Sequence, residues 1–460
     1  MILAFFLPST TMSFSQVKLS EQDWVIPTYP VAPPDKNPMF FRGESYQGAS
    51  KYIYPYAMND VISDEKTDKS WKTVILENEY IKLCIAPEIG GKLYYATDKS
   101  NGYNFIYKNN VVKPSNIGML GAWVSGGIEW CVLHHHRAST FQTVDYTTSE
   151  NSDGSKTIWI GETEPRHRMR WTIGITALPE RSYFRAEVKI HNPTPLTNTF
   201  LYWANVAAHT NENYQVIFPP SVNIATYHAK NSFTNWPIST EIYNGQDFTK
   251  GVDISWWKNS PNSNSFFAYD LKEDFMGGYD HGRETGTVHI GDHNIVKGAK
   301  LWEWGSGARG QATEARLTDS DGPYVEIMVG AFSDNQPDYS WIRPYEVKTF
   351  TQYWYPVRDI KGFKFANLNG AVNLEPEENN RIFLGYCVTK RVNKAKVTLK
   401  NKEKIIFTKI LEISPQKAFT QLIRVEGPYE LTDLYTELTD NETGEILVSY
   451  QPVQFQKSEQ

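Results

Sequence analysis

What most restricts the fold of this chain is a series of short strand-like segments with almost no helix signal between them. Trp71–Glu77, Tyr80–Ala86, Thr157–Gly161, Met169–Ala177, Tyr183–His191, Tyr324–Ala331 and Thr349–Tyr355 are each rich in Val, Ile, Thr or aromatic residues. Turn sequences such as Asn151–Gly154, Asn192–Pro195 and Asp319–Gly322 separate them. β-Branched and aromatic side chains fit a pleated, half-buried surface. Many short strands without long helices predict antiparallel sandwiches or barrels, so the expected class is all-β.

The pattern changes near Asn367. Trp disappears, Lys and Glu rise, and Arg381–Thr389, Lys394–Leu399 and Lys404–Thr408 follow one another as strands at regular spacing. That predicts a second, immunoglobulin-like β-sandwich of roughly 90 residues. The expected organisation is a large β unit over residues 17–365 and the small sandwich over residues 366–460, joined through Arg358–Ala371. Glu21–Asp64, rich in Pro and Tyr, is expected to be an extended arm laid over the large unit.

Residues 1–16 read as a signal peptide: an apolar run, Ile2–Leu7, precedes small and polar residues, with no charge until Lys18. Cys84, Cys131 and Cys387 are too few and too far apart for a disulfide framework or a thiolate zinc site. Cys84 is expected to be a small buried hydrophobe. These features fit a secreted bacterial protein, periplasmic or extracellular. A net charge of −6 argues against nucleic-acid binding, which needs a basic surface. No apolar run reaches the ~18 residues of a membrane span.

The chain carries 14 Trp, 27 Tyr and 23 Phe, and aromatic faces suit flat ligands such as sugar rings. Polar chemistry gathers in four places among these aromatics. In the first, Gly121-Ala-Trp-Val-Ser-Gly-Gly-Ile-Glu-Trp130, the rings of Trp123 and Trp130 flank Glu129. An apolar shell there raises a carboxyl pKa towards general-acid use. In the adjoining run His134–Arg137, His135, His136 and Arg137 read as ligand contacts. Three successive histidines on a strand point to alternate faces and cannot converge on one ion.

The second place is Leu201–His209, where Asn205 and His209 lie on an apolar strand. A His at a strand end is a sensible proton carrier near neutral pH. The third combines Asp280, His281 and His293 with Trp302 and Trp304, a pattern suited to a saccharide cleft. The fourth holds Glu326 on a strand leading to Asp338, Tyr339 and Trp341, which makes Glu326 a candidate base. The plainer reading of each is a turn, a packed histidine or a solvated acid. No cofactor is expected; a structural or catalytic divalent cation stays open, since Asp and His are abundant but no spacing specifies one. Phosphate-cradling Gly-rich loops, His-Glu-x-x-His and Gly-x-Ser-x-Gly are missing from the sequence.

Taken in order, these segments are familiar. Leu76-Glu-Asn-Glu-Tyr-Ile-Lys-Leu-Cys-Ile-Ala-Pro-Glu-Ile-Gly-Gly-Lys-Leu93 resembles the opening strands of galactose mutarotase-like proteins. Trp123–Glu129, His136-Arg137, Trp203-Ala-Asn205 with His209, Asp321–Glu326, Asn335–Trp341 and Thr351–Pro356 together resemble the domain-of-unknown-function family 5107 over roughly residues 20–365. The resemblance implies a galactose mutarotase-like β-supersandwich, the fold of aldose 1-epimerases and of sugar-processing domains in several glycosidases and lyases. In the mutarotases a strand-end His is the acid and a late-strand Glu the base; Asn205, His209 and Glu326 occupy comparable places. Fold does not settle chemistry. The leading expectation is a secreted glycoside hydrolase using Glu129 and Glu326, with His209 orienting or replacing one of them. The alternatives are an aldose 1-epimerase with His209 as acid and Glu326 as base, and a non-catalytic glycan-binding protein.

Overall fold

The computed structural model describes residues 16–35, 56, 58–116, 121–134 and 136–453. His135 and nearly all of the expected signal peptide lie outside the described residues. Two antiparallel sheets dominate, one of twelve strands and one of eight. The larger runs, in spatial order, through Lys18–Thr28, Thr67–Glu77, Ile81–Ala86, Lys92–Asp98, Ile128–Cys131, Tyr202–His209, Tyr324–Ala331, Gly298–Glu303 and Asn264–Ala268 before two short edge strands. In the smaller, Val347–Arg358 and Phe184–His191 are central, and Arg170–Ala177, Lys156–Thr163 and Asp145–Glu150 step outwards to one edge.

Period-two alternation packs these sheets face to face. Trp130, Tyr202, Ala204, Val206, Val325 and Ile327 from the larger sheet meet Ile158, Ile160, Trp171, Ile173, Phe184, Val188 and Trp354 from the smaller in one buried cluster. The alternate residues of the larger sheet therefore face away from this core and line a second surface. There the Trp203 indole lies across its neighbours, because Gly330 and Gly298 give it room. A Cβ built on either would approach the ring within 2.3 and 2.4 Å respectively.

A second unit of two four-stranded sheets follows, Phe365–Asn367, Gly370–Glu377, Arg381–Val388 and Phe419–Arg424 against Val392–Asn401, Lys404–Ile413, Leu434–Asp440 and Ile446–Tyr450. It has its own buried cluster around Leu384, Val397 and Leu438. The connecting stretch is packed: Ile360, Phe363 and Ala366 are buried with Phe275, Val288 and Cys387. All three cysteines are free and buried, Cys84 among Trp71, Ile75 and Tyr94.

Two features depart from the sequence reading. The start of the expected arm is the edge strand Lys18–Thr28, paired along its whole length with Thr67–Glu77. Its Leu19, Val25 and Ile26 supply strand propensity before the Pro-rich stretch begins. A helix, Ala308–Thr318, follows the strand Gly298–Glu303; its Ala, Arg, Gln and Glu content is the local helix signal. Among the described residues no helix is long and apolar enough to cross a membrane. If the glycine bed under Trp203 is required, Gly330→Val should destabilise the fold by about 1–3 kcal/mol, read as a lower denaturant midpoint with an unchanged m-value.

Candidate active site

The surface of the larger sheet that faces away from the smaller one is built by three strand pairings. Asn205 stands opposite Glu129, and Trp203 opposite Cys131. On its other side the same strand sets Ala207 opposite Glu326. Beyond that, Trp302 stands opposite Glu326, and Lys300 opposite Met328. Glu129, Asn205, Glu326, Lys300 and Trp302 therefore rise from one face, with the small Ala207 leaving space beside Glu326.

Glu129 is 3 % exposed and held from several directions. Trp123 Nε1 donates to its Oε2 at 2.8 Å and Thr140 Oγ1 to its Oε1 at 2.9 Å. His136 Nδ1 lies 3.0 Å from Oε2. Asn205 Nδ2 approaches Oε2 at 3.5 Å, while its buried Oδ1 has no hydrogen-bond partner among the described residues. Burial by itself would raise the Glu129 carboxyl, but the charge and hydrogen bond of His136, with Lys92 and Trp123, outweigh it and hold the group well below the usual carboxylate range. The expectation of a protonated Glu129 is thus corrected. Its tryptophan neighbour is a hydrogen-bond donor as well as an apolar wall.

The same contact acts on His136 with opposite sign. Burial would lower the imidazole, yet the Glu129 carboxylate raises it above its ordinary value, with Glu326 adding to the effect. Glu326 is also raised, first by burial and then by the Glu129 charge, against the opposing pull of His136, Lys300 and Lys92. No hydrogen bond ties Glu326 to another described residue. Lys300 is pushed down by burial and partly restored by Glu326. Its Nζ donates to Gln336 Oε1 at 2.9 Å and lies 3.2 Å from His228 Nε2. Lys92 Nζ donates to the Gly126 carbonyl at 2.6 Å and is likewise pushed down by burial. His136 and Glu326 are therefore two proton carriers whose charges sense each other across one surface.

Other residues singled out from the sequence take different places. Trp302 is partly buried against this surface, its ring 4.5 Å from that of Trp304, whose Nε1 donates to Tyr324. Tyr339 packs in the same cluster as Trp302. His209 is further along the strand, its ring 3.9 Å from that of Tyr107. Burial and the Arg283 charge push it down to about 4, so it is neutral and does not share the Glu129 network. Arg137 is a structural tie: it donates to the Trp130 and Gly90 carbonyls and to Ser139, and its guanidinium lies over Trp171.

The third cluster divides because its strands belong to different sheets. Asp280 ends a strand of the smaller sheet, accepting from Asn211 Nδ2 and from the backbone N–H groups of Gly282 and Arg283. His281 lies tilted against Trp256, ring centres 4.9 Å apart, and meets Gln215. His293 pairs with Asp274 at 2.7 Å on the surface. Asp338 is exposed beside Lys230, and Trp341 is 68 % exposed on a short outer strand. None of these joins the Glu129 network. The sequence reading missed Lys92, Thr140, His228, Lys300 and Gln336. Lys300 carried a signal in its spacing, two residues before Trp302 on one strand.

Two groups among the described residues bring three metal-ligating atoms within 4.8 Å of one another: Glu129, Cys131 and His136, and the largely exposed Asp274, Asp292 and His293. In the first, Trp123, Thr140 and His136 already occupy the carboxylate, and burial pushes the Cys131 thiol well above its ordinary value, a poor setting for a cation. Proton transfer on a polar ligand is the chemistry this arrangement suits.

A family model described as a domain of unknown function (DUF5107) matches residues 49–357, and one described as the second domain of a YphG-like protein matches residues 365–450. Among solved structures, a TPR-domain-containing protein from Parabacteroides distasonis is 22% identical with a TM-score of 0.64, over 80% of this chain and 60% of that one. The two share their fold, and this chain spans 60% of that protein's length. A galactose mutarotase-like protein from Clostridium acetobutylicum is 11% identical, with a TM-score of 0.43 over 63% of this chain and 96% of that one. A galactose mutarotase-like protein from Lactobacillus casei is 10% identical, with a TM-score of 0.40 over 62% and 99%. Spanning about two thirds of its length, the first match makes this chain a member of the DUF5107 family.

Proposed function

We propose that the chain catalyses proton transfer at the anomeric centre of a saccharide, with His136 as proton donor and Glu326 as acceptor, in the manner of an aldose 1-epimerase acting on free reducing sugars. One observation carries this reading: two buried groups on one surface, an imidazole and a carboxyl, are both raised from their ordinary values. A carboxyl raised to about 7 and an imidazole raised above its ordinary value are suited to the base and acid roles that anomer exchange needs. Glu129 orients and charges His136, Asn205 Oδ1 is available to a sugar hydroxyl, and Trp302 offers a ring face. The glycosidase expectation assigned Glu129 as the protonated acid, and its three donors speak against that role.

Anomer exchange measured by NMR across a panel of aldoses, with oligosaccharides alongside, tests the proposal. Glu326→Gln and His136→Asn should each slow exchange by about 10²–10⁴-fold, the usual weight of a general acid or base. New reducing ends from oligosaccharides, lost in Glu326→Gln, would replace epimerisation by hydrolysis. Sugar binding without turnover in the wild type would leave a binding protein.

The pH profile gives an independent check. Activity needs Glu326 ionised, so it should rise as pH passes a carboxyl value above the ordinary range. It needs His136 protonated, so it should fall only above the ordinary imidazole value of about 6.5. Removing the Glu129 charge withdraws what raises His136 and the part of the Glu326 rise that adds to burial. Glu129→Gln should therefore move both limbs to lower pH, a shift that a merely structural Glu129 would not produce.

A further inference from the structure

The outer face of the smaller sheet holds a second built feature, on the side away from its packed core. Strand pairing places Trp159 opposite Thr147 on one side and Gly174 on the other, and Gly161 opposite Asp145 and Thr172. Alternation points Asp145, Thr147, Trp159, Gly161, Thr163, Arg170 and Thr172 outwards, whereas Ile158, Ile160, Trp171 and Ile173 point into the core. At Gly174 a Cβ would come within 2.5 Å of the Trp159 ring, so the indole lies over that glycine along the sheet. Its Nε1 donates to Ser149 Oγ at 3.2 Å, and the Lys189 ammonium stands 5.7 Å from the ring centre.

Packing of an indole on a cross-strand glycine accounts for Gly174 but not for what lies beside it. Gly161, with no side chain, leaves a depression of about 400 Å³ between Trp159, Thr163 and Thr172, rimmed by Asp145 and Arg170. Arg170 Nε donates to Thr163 Oγ1 at 3.0 Å, which fixes one wall. The volume is at the small end of ligand sites. Charge selects the occupant. Asp145 is offset by Arg170 and Glu162 by Arg137 at 3.3 Å, and beyond the rim Glu187 is offset by Lys189 at 3.8 Å, so the depression presents balanced charge with no field for a phosphate or a polyanion. What remains is an aromatic wall beside three threonine hydroxyls, an arrangement complementary to a ring with an apolar face and hydroxyl groups at its edge.

We propose that this depression is a binding site for a neutral saccharide, separate from the Glu129–Glu326 surface on the other sheet, with Trp159 as its stacking platform. The site holds a sugar without turning it over. It does not depend on the activity proposed above.

Affinity electrophoresis in gels containing starch, xylan, galactomannan or mixed-linkage β-glucan tests it. At least one of these neutral polymers should retard the wild type, and Trp159→Ala should weaken that retardation by about tenfold or more, as expected for a lost aromatic contact in a small site. Asp145→Arg, at an exposed rim position, sets a long cation across the depression while leaving the packing of the indole alone, and should weaken it as well. Glu326→Gln should be retarded like the wild type. Retardation that survives both outer-face variants, retardation lost in Glu326→Gln, or none with any of the four polymers overturns the proposal.

Discussion

The register of one strand, Tyr202–His209, carries the organisation of the whole molecule. It pairs with Ile128–Cys131 on one side and Tyr324–Ala331 on the other. Because side chains alternate with period two, that register sends Tyr202, Ala204 and Val206 into the core and Trp203, Asn205 and Ala207 to the opposite surface. A slip of one residue would exchange the two sets, placing Asn205 in the apolar core and Tyr202 on the site. Burial of the large core face therefore fixes the site geometry at the same time.

The surface so formed gathers Lys92, His136 and Lys300 with Glu129 and Glu326, nearly all buried. Burying charge is costly unless partners are close, and such clusters are weak sources of stability. Here the partners are unevenly distributed. Glu129 takes Trp123, Thr140 and His136, Lys300 takes Gln336 and His228, and Glu326 feels the like charge of Glu129 against the opposite pull of His136, Lys300 and Lys92. That inequality separates the two carboxyl groups: one is held ionised and the other is close to exchanging its proton. Unequal environments of this kind set two like groups on one surface to different protonation states.

Much of the fold was legible because it rests on local signals. The strands over Trp71–Glu77, Tyr324–Ala331 and Arg381–Thr389 read directly from β-branched and aromatic alternation, and the second sandwich from the change in composition near Asn367. Of the site, Glu129, His136, Asn205, Glu326 and Trp302 were legible as polar or aromatic residues in otherwise apolar strands. Lys300 and Lys92 were not, since a lysine at a strand position is ordinarily solvated and only the neighbouring strands make these two buried. Asp280 and His293 stood out for the opposite reason: their chemistry is right, but the chain carries them to the other sheet and to a surface loop.

The sequence by itself determined the element types, the two β units and the faces on which polar residues interrupt apolar alternation, because propensity and periodicity are properties of consecutive residues. Tertiary structure alone decided which of those residues meet and how they ionise. His136 lies near Glu129 in the chain, but the sign of each pKa shift depends on donors at Trp123 and Thr140 and on charges at Lys92, Lys300 and Glu326. Those groups come together through strand pairing across almost two hundred residues, and electrostatic interaction depends on distance in space and on burial, which no local pattern encodes.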